Sequence, residues 1–210
     1  MNLPNKLTIF RIALVPIMVI IPFLGIQGTV CNIPIQNLII IAIFAIASYT
    51  DHLDGKIARK NNLVTTFGKF ADPLADKILV LSAMLMLVEM DYLPAWIPII
   101  VLTREFVVSG YRLIAVEKGG KVIAASIWGK IKTCTQMIAI ILMFLTTKPY
   151  FAFILRAKTE QEALASSALV YMTTGDFIIN ILASVFMTIS VIATIVSGID
   201  YLKGGKELFK

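Results

Sequence analysis

The stretch Asp51–Lys77 reads DHLDGKIARKNNLVTTFGKFADPLADK. It carries four aspartates, Asp51, Asp54, Asp72 and Asp76, in a chain of 210 residues that is 58% hydrophobic and 15% charged. On a helix, Asp51 and Asp54 lie three apart and Asp72 and Asp76 four apart, so each pair shares a face. Between the pairs, Arg59, Lys60, Asn61 and Asn62 make a polar break that ends one helix before Gly68 begins the next. Two antiparallel helices then present two carboxylates each to one shared point. Carboxylates at that density repel one another unless cations sit among them. Hard oxygen donors suit Mg²⁺ or Mn²⁺, and four of them can bridge two such ions. A salt-bridge network with Arg59, Lys77 and Arg104 is the structural alternative. Unmetallated carboxylates packed this densely are costly in lipid, which favours the two-metal site.

The rest of the chain supplies the lipid. Mean hydropathy is +0.86. So little charge marks an integral membrane protein, read as a single all-α domain over residues 1–210. Apolar runs of about 17–25 residues span a bilayer. The first extends from about Leu7 to Ile26, behind a polar edge of Asn5, Thr8 and Arg11, and Gly25, Gly28 and Asn32 mark a loop. A second starts near Ile35 and enters the aspartate stretch; a third begins at Phe70. Asp91 and Pro94 turn into a fourth from Ala95 to about Val116, and Gly119, Gly120 and Lys121 break it from a fifth at Ile127–Leu145. A sixth covers Phe177 to Ile199, after a Lys148–Thr174 segment read as a loop with a short amphipathic piece. The N-terminal segment lacks a small-residue cleavage site and reads as retained. Cys31 and Cys134 are too few and too far apart for a disulfide framework or a zinc site, and His52, the one histidine, rules out a His-rich centre.

Charge sets the orientation. With six spans, only Lys148, Arg156 and Lys158 of the 19 lysines and arginines fall on one side, which puts both termini and the aspartates in the cytoplasm. The net charge of +6 comes from basic residues at the ends of apolar helices, a pattern for anionic headgroups and phosphates rather than nucleic acid. Charges within the spans need a partner or a water-filled cavity. Asp51, Asp54, Asp72, Asp76, Lys77, Arg104, Arg112, Lys130 and Lys132 all fall in the cytoplasmic third of their helices, so they describe one cytoplasm-facing polar cavity. Acid for metal and base for phosphate together point to phosphoryl transfer. Arg104 and Arg112, eight apart, either contact a phosphate or snorkel to headgroups. Lys130 and Lys132, two apart, cannot both face inward.

Asp51-x2-Asp54-Gly55-x2-Ala58-Arg59 followed by Gly68-x3-Asp72-x3-Asp76 resembles the signature of the CDP-alcohol phosphotransferases. Eight fixed residues at fixed spacing make the signal specific. NLPNKLTIFR, GKFADPLADKILV, TREFVVSGYR and WGKIKT look like the branch whose acceptor is glycerol 3-phosphate, with similarity running from the N-terminus to about Met137. His52 departs from the aromatic residue usual in relatives.

The resemblance implies transfer of the phosphatidyl group of CDP-diacylglycerol to sn-glycerol 3-phosphate, with release of CMP. It implies Asp51, Asp54 and Asp72 as ligands of two divalent ions, Mg²⁺ or Mn²⁺. Asp76 would be the general base and a ligand of the second ion. Gly55, Ala58 and Gly68 would make room for the cytidine nucleotide, with Arg59 beside it. Asn5, Thr8 and Arg11 would border the donor headgroup. Arg104, Arg112, Lys130 and Lys132 are the candidates for the acceptor phosphate, and a homodimer among membrane lipids is the expected assembly. Two alternatives stand beside this: another acceptor (phosphatidylglycerol, serine or an inositol phosphate), and a divalent-cation transporter.

Overall fold

The computed structural model describes residues 2–31, 33–60, 66–117, 127–146 and 174–204. It is helical almost throughout. Helix α1 (Leu3–Ile20) starts with Pro4 in its first turn, where a missing amide proton costs nothing, and passes into a 3₁₀ turn at Ile21–Leu24. Gly25, at φ 59°, closes that turn in the left-handed region that a side chain resists. Two short antiparallel strands follow, β1 (Thr29–Val30) and β2 (Ile33–Pro34), pairing Thr29 with Pro34 and Val30 with Ile33. The loop expected between the first two helices is therefore a small ribbon.

Helix α2 (Ile35–Lys60) runs through Asp51 and Asp54 and ends at the expected polar break. Helix α3 (Thr66–Glu89) begins two residues before Gly68 and continues through Pro73, so the proline removes one amide donor without ending the helix. Asp91, at φ 59°, makes the turn toward α4 (Trp96–Glu117), and Ile97 N donates to Pro94 O at 3.1 Å. Helix α5 (Ile127–Leu145) and helix α6 (Thr174–Gly204) complete the described elements. The Gly119–Lys121 break and nearly all of the Lys148–Thr174 segment lie outside the described residues.

Two compact units share the chain. The described residues of 1–90 and 144–147 form one, and those of 91–143 and 148–210 the other. In the first, α1 packs on both α2 and α3. Met18, Ile40, Phe44 and Leu79 fill its interior, while Ala47, Ala71, Ala75 and Ala83 keep the helices close. The end of α5 joins this unit, where Asn37 Nδ2 donates to Phe144 O at 3.0 Å. In the second, α4 packs on α6, with Ile97, Val101, Val108, Met187 and Tyr201 buried.

The polarity is inverted relative to a water-soluble protein. Asn5, Thr8, Arg11, Lys132, Gln136, Asn180, Ser190 and Ser197 are buried, whereas Phe10, Ile17, Phe23, Ile178, Ile192 and Ile199 lie exposed. Water would not tolerate that surface; hydrocarbon does. Asn5–Leu24, Ile127–Leu145 and Gly175–Lys203 are long and apolar enough to cross a bilayer, and Ile35–Asp51 is a shorter apolar segment. Helices α3 and α4 carry more charge along their length, with Asp72, Asp76 and Lys77 on one and Arg104, Glu105 and Arg112 on the other. The chain is a membrane protein built of helices.

Candidate active site

The first unit sets two aspartates against α1. Asn5, Thr8 and Arg11 follow one another at helical spacing and are all buried, with Thr8 and Arg11 at 0% exposure. The outward side of the same helix carries Ile9, Phe10, Ile17 and Ile20. The inward stripe meets two carboxylates from two different helices. Arg11 Nη1 lies 2.8 Å from Asp51 Oδ1 on α2, and its Nε donates to Ala47 O at 3.2 Å. Thr8 Oγ1 donates to Asp72 Oδ1 on α3 at 2.5 Å. Since Thr8 and Arg11 are neighbours on one face, Asp51 and Asp72 are held against the same stretch of α1.

Asp72 and Asp76 lie on α3 in partly buried positions, one turn apart; Asp51 is partly exposed; and Gly68 is buried one turn before Asp72. Asp54, Gly55, Ala58 and Arg59 lie on α2 and Arg112 on α4, and their side chains are outside what the structure describes. Among the described residues, no group of three or more acidic, histidine or cysteine side chains closes on one point, a count that omits Asp54. The donor chemistry still suits a hard divalent ion. Asp51 and Asp72 arrive from different helices, both offer oxygen ligands, and one turn further along each helix stands another aspartate.

The second unit holds a separate polar cluster. Lys132, buried on α5, forms a short ion pair with Glu105 Oε1 on α4. Arg104 Nη1 lies 3.1 Å from the same oxygen, and Arg104 Nη2 donates to Ser197 Oγ on α6 at 2.6 Å. The guanidinium also lies 5.7 Å from the centre of the Tyr201 ring. Small residues make way for it: a Cβ at Gly129 would stand 3.4 Å from Arg104 Nη2, and one at Gly198 would stand 3.5 Å from Arg104 Cγ. Lys130, two residues from Lys132, is exposed, as helical geometry requires. Sequence reasoning had not singled out Glu105, Ser197 or Tyr201. A carboxylate beside Arg104 inside an apolar run was the available signal for the first, because a lone charge there needs a partner. Nothing in the pattern of α6 marks the other two.

The model of the CDP-alcohol phosphatidyltransferase family matches residues 1–196. The chain belongs to that family. Its likeness to the CDP-alcohol phosphatidyltransferases therefore extends well past Met137, where the motif-bearing stretches end, and includes most of α6. The chain is 49% identical over 154 residues to the CDP-diacylglycerol–glycerol-3-phosphate 3-phosphatidyltransferase of Bacillus subtilis, covering 71% of this chain and 79% of that one. It is 34% identical over 212 residues to the protein of the same name from Rickettsia bellii, covering 99% and 97%. A third of that name, from Haemophilus influenzae, is 42% identical over 143 residues, covering 66% and 73%. Membership in a phosphatidyltransferase family decides between the enzyme reading and the cation-transporter alternative.

Proposed function

We infer that the chain is an enzyme that transfers the phosphatidyl group of CDP-diacylglycerol to sn-glycerol 3-phosphate, giving phosphatidylglycerol phosphate and CMP. The carrying observation is likeness along nearly the whole chain to proteins named for that reaction, at up to 49% identity over the aligned stretch. The two-helix aspartate motif and its support by α1 agree with it. Relatives named for glycerol 3-phosphate favour that acceptor over phosphatidylglycerol, serine or an inositol phosphate. The single family match over residues 1–196 supports one catalytic domain.

In the mechanism we propose, the donor's acyl chains stay in the bilayer while its headgroup reaches a polar cavity on the cytoplasmic side of a six-span membrane domain. Asp51, Asp54, Asp72 and Asp76 would hold two divalent ions, Mg²⁺ or Mn²⁺. When bound, such ions offset the charge of the diphosphate and of the departing nucleotide. Asp76 accepts the proton of the acceptor's terminal hydroxyl as that oxygen bonds to the phosphatidyl phosphorus; the bond from phosphorus to the CMP oxygen breaks, and CMP leaves with its electron pair. Gly55, Ala58 and Gly68 leave space for the cytidine nucleotide, with Arg59 beside it. Arg104, Arg112 and Lys132 are assigned to the acceptor's phosphate, with Lys132 and Arg104 held in place by Glu105, while the exposed Lys130 faces away from Lys132 and drops out of that set. Asn5 borders the donor headgroup. The working form is a homodimer in the cell membrane with both termini cytoplasmic, the side favoured by the lysine and arginine distribution.

Purified protein incubated with CDP-diacylglycerol and each acceptor in turn, with CMP measured, tests the reading. Release with glycerol 3-phosphate is expected. Release only with serine, phosphatidylglycerol or an inositol phosphate overturns the acceptor assignment, and metal uptake into liposomes without CMP chemistry overturns the enzyme.

A further inference from the structure

We propose that Thr8 is a positioning residue for the metal-binding carboxylate Asp72, acting through its hydroxyl rather than by touching substrate. This rests on the reading of Asp72 as a metal ligand given above. The geometry behind it is unusual for a helical threonine. Such a hydroxyl ordinarily returns to a carbonyl three or four residues back on its own helix. Thr50, Thr103, Thr133, Thr135, Thr188 and Thr194 all do so, at 2.7–3.1 Å. Thr8 donates across 64 positions of sequence to Asp72 Oδ1 at 2.5 Å.

Burial and anchoring say why that matters. Thr8 has 0% exposure, so its hydroxyl is presented to a fixed neighbour and not to a diffusing headgroup. One turn on, Arg11 pins the same face of α1 to α2 through Ala47 O and Asp51. The donor is thus held by the backbone of a packed helix, and the carboxylate it grips cannot rotate freely. A hydroxyl on Oδ1 leaves Oδ2 and a lone pair of Oδ1 for a cation and fixes the direction in which they point. Partners of metal ligands act in this way, and losing one typically weakens metal affinity about 10–100-fold. The sequence offered Thr8 only as a headgroup contact; the structure assigns it a role through Asp72.

The test is Mn²⁺ binding to the full chain in detergent without substrate, read by the electron paramagnetic resonance of free Mn²⁺. Thr8→Val keeps the volume and removes the hydroxyl, Thr8→Ser restores it, and Asp72→Asn is the control for the ligand itself. Thr8→Val should bind Mn²⁺ about tenfold or more weakly, with Thr8→Ser staying close to the parent and Asp72→Asn losing the site. The KM for glycerol 3-phosphate at saturating Mn²⁺ should not move in Thr8→Val, whereas general loosening of the fold would change it. Parent-like Mn²⁺ affinity in Thr8→Val beside a deficient Asp72→Asn overturns the positioning role alone. Parent-like affinity in Asp72→Asn overturns the ligand assignment and, with it, the proposal. Should Thr8→Val fail to fold, Thr8→Ala in isolated membranes carries the same test through the Mn²⁺ concentration giving half-maximal CMP release, and an unchanged value overturns the proposal.

Discussion

Replacing Glu105 with glutamine should destabilise the second unit far more than removing the lysine it pairs with. Glu105 Oε1 is shared by Lys132 and by Arg104 Nη1, whose side chains are only 5% and 12% exposed. Glu105→Gln leaves two buried cations facing a neutral amide. Breaking a buried pair from one side costs about 3–5 kcal/mol, and the 22% exposure of Glu105 argues for the lower end, about 3 kcal/mol. Lys132→Met leaves Glu105 with Arg104 still 3.1 Å away, so the loss should be about 1.5 kcal/mol. In the double variant only Arg104 remains charged, and Ser197 still accepts from it; that form should lose about 2 kcal/mol rather than the sum of the two, a coupling of about 2.5 kcal/mol in magnitude. For a chain of this length these values correspond to melting shifts of roughly 6–12 °C for Glu105→Gln and roughly 3–6 °C for Lys132→Met. Trp96 on α4 and Trp128 on α5 offer a fluorescence signal for thermal unfolding in detergent. A Glu105→Gln protein melting within about one degree of the parent, or single losses that simply add in the double variant, would refute the shared-carboxylate argument.

Asp76→Asn should abolish CMP release while leaving the melting temperature near that of the parent, and retained turnover would remove Asp76 as the base. Chelation of divalent ions should stop CMP release, with Mg²⁺ or Mn²⁺ restoring it; turnover undiminished in chelator would exclude the two-ion site. Ser197→Ala should cost about 1.5 kcal/mol by removing the 2.6 Å bond from Arg104 inside a buried pocket, read as a lower melting temperature. Ile192→Lys puts a charge on a position of α6 that is 53% exposed on the apolar side, which should cost about 2.5–3.5 kcal/mol in a bilayer and reduce the amount recovered in membranes. Normal membrane yield of that variant would contradict the assignment of that surface to lipid.

Hydropathy located the long helices because their apolar runs are nearly uninterrupted. α2 starts at Ile35 and α5 spans Ile127–Leu145, as the sequence indicates. The ends were less legible. α3 opens at Thr66 rather than Gly68, since a glycine near a helix start is tolerated and does not define it. The paired strands at Thr29–Pro34 left no signal, because a two-residue ladder is set by a turn and not by alternation. Composition gave the membrane, but not which side of each helix meets lipid: Ile17 and Met18 are adjacent and equally apolar, yet one is 52% exposed and the other fully buried.

For the site, spacing was enough to put Asp72 and Asp76 on one face of a single helix, because that follows from periodicity within one element. Which residues would support them depended on contacts distant in sequence, such as Thr8 with Asp72 and Arg104 with Ser197, and no local pattern encodes those. The inverted polarity of the fold does narrow the search. In hydrocarbon, a polar side chain on an apolar helix must find a partner inside the protein, so each one predicts another polar group on a neighbouring helix. Applied to α1, that rule says the Asn5–Thr8–Arg11 stripe must meet donors or acceptors on α2 or α3, the two helices on which α1 packs. Those helices carry the aspartates. The first helix thus sets its polar stripe against the aspartate-bearing helices, although it contributes no acidic residue of its own.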